Sequence, residues 1–330
     1  MAGMFTAIAL AIGAATALMT TGPVRAQQAE DIADYPSRTV RIICSAAAGG
    51  SLDIIVRHVA DKLQQRYGKP FVVENKPGGA GNLGAEMVYQ ADPDGYTLLA
   101  AQPAPLTTNP IIYKKVNFDP AAMEPVVIMS SVPAALVVRK DLPVSSVAEL
   151  IAYARAHPGL TYGSQGVGTR PHLAGELLAR ATKTEMTHVP YRGTPQAVTD
   201  VVAGHVDMLI ILIDAVREQV ESHQLKLLAM ASARRFPGLD GVPTMIESGV
   251  PDFLSDTWQA LVAPPHTPKA ITSKLNKAVQ EIMAEPDMRA QLAKMSMAAV
   301  PGSPADTGAF IKAETQRWGV VIRAANITAN

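Results

Sequence analysis

Val40-Arg41-Ile42-Ile43-Cys44-Ser45-Ala46-Ala47-Ala48-Gly49-Gly50-Ser51-Leu52-Asp53 is the stretch whose reading decides the fold. A five-residue apolar run suits a strand. A glycine pair then breaks it, and Ile55, Val59 and Leu63 recur every fourth position, which marks one face of a helix. A glycine loop at a helix N-terminus presents free backbone N–H groups at the positive end of the helix dipole, so it is suited to an anion. The same arrangement returns more than a hundred residues later. There Leu160–Gln165 reads as a strand, and Gly166-Val167-Gly168-Thr169-Arg170-Pro171-His172 leads into another helix. The separation places the two loops in different domains, with two helix N-termini facing a cleft sized for a small carboxylate.

Working outward, the pattern predicts strands at Phe71–Asn75 and Thr97–Ala101, with a helix around Leu83–Gln90 between them. A second series predicts a helix from Ser146 to about Ala156, opened by a capping box, and strands at Leu160–Gln165, Met186–Tyr191, Asp207–Leu212 and Lys226–Ala231. Thr194-Pro195 is read as the cap of a helix reaching Ala203. This β-α-β rhythm implies an α/β fold with a largely parallel sheet. Thr267-Pro268 and Ser303-Pro304 open helices over 268–284 and 304–325, with a shorter one near 286–295. The apolar run Val126–Val138 is read as a crossing into the second domain and Phe253–Ala263 as the return.

With 330 residues, 48% of them hydrophobic and 18% charged, the chain can bury two cores. Lys+Arg and Asp+Glu both number 29, and omitting Arg25 with residues 1–26 changes the balance by one charge. No basic surplus attracts nucleic acid or anionic lipid, so any anion must be held by local groups. Residues 4–19 are almost all apolar and precede Val24-Arg25-Ala26, which reads as a secretory signal peptide over 1–26. The single cysteine, Cys44, sits in the first strand and reads as a buried hydrophobe.

Several further blocks carry a resemblance: Tyr35-Pro36-Ser37-Arg38, the long run from Val73-Glu74-Asn75 through Pro77-Gly78-Gly79-Ala80-Gly81-Asn82 to Glu86, and Pro93-Asp94-Gly95-Tyr96-Thr97. Then come His172-Leu173-Ala174-Gly175-Glu176, Val189-Pro190-Tyr191-Arg192-Gly193, Gly204-His205-Val206-Asp207, Trp258 to Pro264, and Arg317-Trp318. In this order they resemble the Bug family of periplasmic solute-binding proteins, the receptors of tripartite tricarboxylate transporters. The resemblance implies a two-domain periplasmic-binding-protein fold of the type II class, with the ligand in a cleft between the domains. It implies domain 1 over 27–130 and 253–330 and domain 2 over 131–252, a periplasmic monomer, a small organic acid as ligand, and the membrane subunits of such a transporter as partner. It implies a binder and not an enzyme, with no cofactor. A ligand-sensing partner of a membrane signalling protein and a secreted α/β enzyme acting on a carboxylate are the alternatives.

The candidate ligand-binding residues are Ala47, Ala48, Gly49, Gly50, Ser51 and Asp53 in the first loop and Gly166, Val167, Gly168, Thr169, Arg170 and His172 in the second, with Gln102, Asp207 and Ile211 lining the remainder. Asp53, in the first helical turn, either complements the dipole or orients its loop. Arg170 reads as a forked partner for a ligand carboxylate or as a solvated arginine at the cleft edge. Leu209-Ile210-Ile211-Leu212-Ile213 hints at an apolar or aromatic ligand tail. Gly79-Ala80-Gly81-Asn82-Leu83-Gly84 matches G-x-G-x-x-G, but no acidic residue follows at the spacing a dinucleotide ribose needs, so it reads as a tight strand–helix turn. The seven histidines show no paired metal-ligand spacing, and no G-x-S-x-G elbow is present.

Overall fold

Short apolar runs become strands, and apolar residues spaced by three and four become the helices that cover them. In the computed structural model, residues 34–236, 238–239 and 241–328 are described. The expected signal peptide at 1–26 lies outside the described residues, and the architecture below is that of the unit Pro36–Asn330. In chain order the elements are β1 (Val40–Cys44), α1 (Ser51–Tyr67), β2 (Phe71–Asn75), α2 (Asn82–Tyr89), β3 (Thr97–Ala101), α3 (Pro103–Leu106) and α4 (Asn109–Ile112). Next come β4 (Glu124–Arg139), α5 (Val147–Ala156), β5 (Leu160–Ser164), α6 (Arg170–Thr182), β6 (Met186–Pro190), α7 (Thr194–Val202), β7 (Met208–Leu212), α8 (Arg217–Glu221) and β8 (Leu225–Met230). The last are β9 (Asp256–Ala263), α9 (Lys269–Met283), α10 (Pro286–Lys294), β10 (Ala298–Ala299) and α11 (Pro304–Ala324).

The sheet runs β2-β1-β3-β9-β4-β7-β5-β6, and β8 and β10 also pair with β4. Its two ends, β2-β1-β3 and β7-β5-β6, are parallel as the rhythm predicts. The middle is antiparallel, because β4 and β9 are crossing strands and not members of βαβ units. β4 pairs with β9 as far as Pro133↔Asp256 and with β7 from Ala134↔Leu212 onward. The parallel pairing of β1 with β3 brings the loop after Cys44 and Gln102 to one sheet edge. The pairing of β5 with β7 does the same for the loop after Ser164 and for Ile211–Leu212. Ligands of open α/β sheets bind outside such carboxyl ends.

Capping differs from expectation in three places. Ser146 accepts from Glu149 N–H, but the Glu149 carboxylate turns to the N–H and hydroxyl of Ser145, so the box is split over two serines. Thr194 is the first residue of α7 and not its cap, its hydroxyl accepting from Gln165 Nε2. The Thr267 hydroxyl donates to Pro264 O and leaves α9 without a side-chain cap. Ser303 and Asp306 do form a reciprocal capping box on α11. The glycine-rich 79–84 segment is a short 3₁₀ turn leading into α2, with Ala80 at φ 51° and Gly81 at φ 94°.

One core packs Tyr162, Leu150, Leu178, Phe253 and Met245 around β5 and α6, and a second packs Ile43, Leu99 and Trp258 beneath β3 and β9. Within the first, α6 lies so close to β5 that a Cβ on Gly175 would sit 2.1 Å from a Tyr162 ring carbon. Gly175→Ala gains about 1 kcal/mol of helix propensity. It must also displace a buried aromatic ring, an overpacking cost of roughly 1–3 kcal/mol. Urea unfolding is expected to show net destabilisation; a more stable variant would mean that α6 moves off the sheet freely.

Candidate functional site

The first loop is built by its own helix. Gly49 adopts φ +80°, and its N–H donates to Asp53 Oδ2 at 2.9 Å. Asp53 Oδ1 accepts from Arg57 Nε at 3.0 Å and from Asn75 Nδ2 at 2.8 Å, and Asn75 also donates to Ala46 O. Burial pushes the Asp53 carboxyl up, but the hydrogen bonds from Arg57, Gly49 and Asn75 outweigh it and hold the group below the usual range. Asp53 is buried and fully engaged, and it orients the loop. Ala47, Ala48, Gly49 and Gly50 are exposed, and Gly50 precedes α1 without a side-chain cap. The Ser51 hydroxyl accepts from Gln259 Nε2 at 3.2 Å.

The second loop repeats the device with different chemistry. Gly168 also adopts φ +80°, and its N–H donates to His172 Nδ1, again four residues on and in the first helical turn, at 3.0 Å. Gly166 N–H donates to the Ser164 hydroxyl, and the Thr169 hydroxyl donates to Gly166 O at 2.7 Å, so Thr169 shapes the loop and leaves the α6 N-terminus uncapped by its side chain.

Arg170 opens α6 and reaches α11. Its Cζ lies 4.4 Å from the centroid of the Trp318 ring, and its Nη1 is 3.5 Å from Glu314 Oε2. The side chain is only 13% exposed, and burial pushes the guanidinium below its usual value against the pull of Glu314 and Asp256. Glu314 is almost fully buried. Its Oε2 accepts from the indole N–H groups of Trp258 at 3.2 Å and Trp318 at 3.1 Å, and its Oε1 accepts from Arg317 at 2.5 Å. Its Oε2, already taken by two indole donors, pairs with Arg170 Nη1 in charge but accepts no hydrogen bond from it.

Among the described residues, two buried side-chain atoms lack a hydrogen-bond partner, Arg170 Nη1 and Ser255 Oγ. Both residues line one cavity of about 260 Å³ with Gln102, Gln165, Thr169, Thr257 and the apolar Ile210, Ile211 and Leu212. An adjoining cavity of about 390 Å³ shares Gln102, Thr169, Arg170 and Thr257 and adds Asn109, Val167 and Gly168. Buried polar groups almost always find partners, so the two orphan atoms of these cavity-lining residues need an explanation. A larger cavity of about 530 Å³ between α3 and α11 contains neither atom.

The structure thus brings together Gln102, Val167, Gly168, Thr169, Arg170 and Ile211 of the expected set. Ala47 to Ser51 lie at the carboxyl end of β1 and do not line these cavities, and neither does Gly166. His172 stands behind its loop as Asp53 does. Asp207 lies away from the cavity, where its carboxylate accepts from Thr161 N–H, the Thr161 hydroxyl and Arg139 Nε. Sequence reasoning missed Ser255, Thr257 and Gln165. The available signal was the polar triplet Ser255-Asp256-Thr257 in an otherwise apolar return strand.

Because the Ser255 hydroxyl has no protein partner to lose, Ser255→Ala is expected to leave thermal stability unchanged. It is expected to weaken binding of a carboxylate in this cavity by about 1.5–3 kcal/mol, the worth of a hydrogen bond to a charged group. Equal affinity in calorimetry would remove Ser255 from the site.

Comparison with known proteins bears on the family and the fold. The family model described as "Tripartite tricarboxylate transporter family receptor" matches residues 55–327. Protein BugT of Bordetella pertussis (strain Tohama I) is 34% identical over 295 residues, which cover 88% of this chain and 90% of BugT. Among solved structures, R. palustris Rpa4515 with adipate is 35% identical with a TM-score of 0.70, over 89% of this chain and 99% of that one. A TctC solute binding protein from Polaromonas is 26% identical with a TM-score of 0.82, over 88% and 99%. The fold is the α/β two-domain architecture of periplasmic solute-binding proteins, and the chain belongs to the tripartite tricarboxylate transporter receptor family, the Bug proteins.

Proposed function

We propose that this protein captures a small organic acid in the periplasm and delivers it to the membrane subunits of a tripartite tricarboxylate transporter. One observation carries the reading: Arg170 and Ser255, each with a buried side-chain atom that has no hydrogen-bond partner, line the same cavity at the α6 N-terminus. A carboxylate there accepts from the guanidinium, the hydroxyl and the helix end together. The bond is strengthened by burial, since charge-assisted hydrogen bonds gain in a low dielectric. Ile210–Leu212 form an apolar wall for the rest of the ligand. The adipate bound by Rpa4515, a carboxylate with an apolar middle, supports this class. Among the described residues no helix is long and apolar enough to cross a membrane.

The domains of this reading are 27–130 with 253–330, and 131–252. The change of partner along β4 at Pro133 and Ala134 supports a boundary there. Closure about it is a hinge motion that carries the exposed 47–50 loop toward the ligand. The test is photo-crosslinking from surface positions of the mature protein in cells that carry the transporter. Capture of its membrane subunits supports delivery. Capture of a sensor's extracytoplasmic domain, with no transporter subunit, would replace delivery by signalling.

A further inference from the structure

We propose that His172 is the positioning residue of the second loop and makes that loop proton-sensitive, so that the site is shaped for its ligand at neutral pH and loosens in acid. The proposal rests on the carboxylate-binding reading above for its consequence, but its physical basis lies within the loop.

The two loops are built alike: a glycine at φ +80° donates its N–H to a side chain four residues on. In the first loop the acceptor is a carboxylate, which keeps accepting far into acid. In the second it is an imidazole nitrogen, which accepts only while it carries no proton. The Gly168 N–H···Nδ1 bond therefore fixes the tautomer, with the ring proton on Nε2. Protonation at Nδ1 turns the acceptor into a donor facing an N–H, and the bond that sets Gly168 is lost.

The surroundings keep the ring neutral. His172 is buried in the first turn of α6, where the positive helix end opposes an imidazolium. Its ring stacks on His188 of β6, centroids 3.9 Å apart, and lies 6.4 Å from the Tyr162 ring of β5. Glu176, on its own helix, is the facing carboxylate at 3.8 Å from Nε2, and it also accepts from Tyr162 Oη at 2.6 Å. β7 brings only Met208, Leu209, Ile210, Ile211 and Leu212, none of them titratable, and Glu314 of α11 faces Arg170. His188 reaches the same loop, its Nε2 lying 2.6 Å from the Ser164 hydroxyl that receives Gly166 N–H. Burial pushes His172 below the ordinary histidine value of 6.5, against the pull of Glu176. Burial and the neighbouring His172 push His188 down to about 4. With folded-state values depressed, folding stability starts to fall as pH drops below 6.5, where the unfolded rings take up protons, while the neutral pair in the folded protein is lost only as pH falls through its own lower values. Two stacked rings resist a second proton, so the pair titrates as a unit.

The test is a proton titration of ¹⁵N-labelled mature protein from pH 7.5 to 4.5, following the Gly168 amide and the His172 ring. The Gly168 amide is expected to shift, and its protection against exchange, relative to the intrinsic rate at each pH, to fall at least tenfold, with the midpoint of the His172 ring. His172→Asn places a non-titrating Oδ1 where Nδ1 stood, and it is expected to hold the Gly168 amide constant over this range. A wild-type amide that stays fixed while His172 titrates would overturn the proposal, and so would an amide that moves alike in both proteins. Adipate links the loop to the site: where it binds at pH 7.5, its Kd is expected to rise at least tenfold more in the wild type than in His172→Asn across the titration of the His172 ring. No adipate binding at pH 7.5 would count against this choice of ligand class, while the amide titration alone still decides on the gate.

Discussion

Glu314→Ala is expected to destabilise the mature protein by about 3–5 kcal/mol, the usual cost of removing one partner from a buried charged network. Three donors would lose their acceptor at once: the indole N–H groups of Trp258 and Trp318, both fully buried, and Arg317 Nη1. Arg170 would keep its stacking on Trp318 but lose the charge 3.5 Å from its Nη1. The effect has two parts, because unsatisfied buried donors cost roughly 1–3 kcal/mol each and the uncompensated guanidinium adds to them. Glu314→Gln keeps one carbonyl acceptor and is expected to lose less. Urea unfolding of the three proteins measures both effects. A loss under about 1 kcal/mol for the alanine variant would mean that water or a shifted side chain replaces the carboxylate and that the network is not structural.

Arg170→Met is expected to separate binding from stability. Methionine keeps the length and apolar contact with Trp318, and replacing a buried charge by a hydrophobe of similar volume is often close to neutral. Glu314 retains its indole and Arg317 donors. The variant is therefore expected to unfold within about 1 kcal/mol of the wild type. Its affinity for the carboxylate is expected to fall by about 1.5–3 kcal/mol, the worth of a hydrogen bond to a charged group, or roughly ten- to 150-fold. Arg170→Lys is a sharper control, since a point charge cannot reproduce the guanidinium plane over the indole. If Arg170→Met loses stability and binds normally, the guanidinium only fastens α6 to α11.

Local pattern carried most of the elements. β1, β2 and β3 were legible to the residue because each is a short, largely apolar run, and β2 and β3 have proline or glycine within two residues of each end. The antiparallel middle of the sheet was not, since nothing in Val126–Val138 states which strand lies beside it, and its pairing with β9 joins residues more than a hundred apart. The site divided along the same line. Both glycine loops were visible because the strand, turn and helix start are contiguous. The meaning of Arg170 was hidden, as it depends on Glu314 and Trp318 from a helix at the far end of the chain. Asp53 and Asp207 illustrate the converse. A carboxylate in a marked motif invites a ligand, yet one is spent on Gly49, Arg57 and Asn75 and the other on Thr161 and Arg139. Whether a polar side chain faces a ligand or the backbone beside it depends on tertiary neighbours.

The measurement that tests the account most directly is a thermal-shift screen of the mature protein and Arg170→Met against aliphatic, aromatic and amino-acid carboxylates at neutral pH. A carboxylate at about 100 times its Kd adds roughly 2.7 kcal/mol to the stability of the protein that binds it. The account predicts a clear upward shift with at least one carboxylate in the wild type and a much smaller shift with that compound in Arg170→Met. A shift of equal size in both proteins would contradict the placement of the carboxylate at Arg170, and the absence of any shift across the three classes would contradict the binding of a small organic acid.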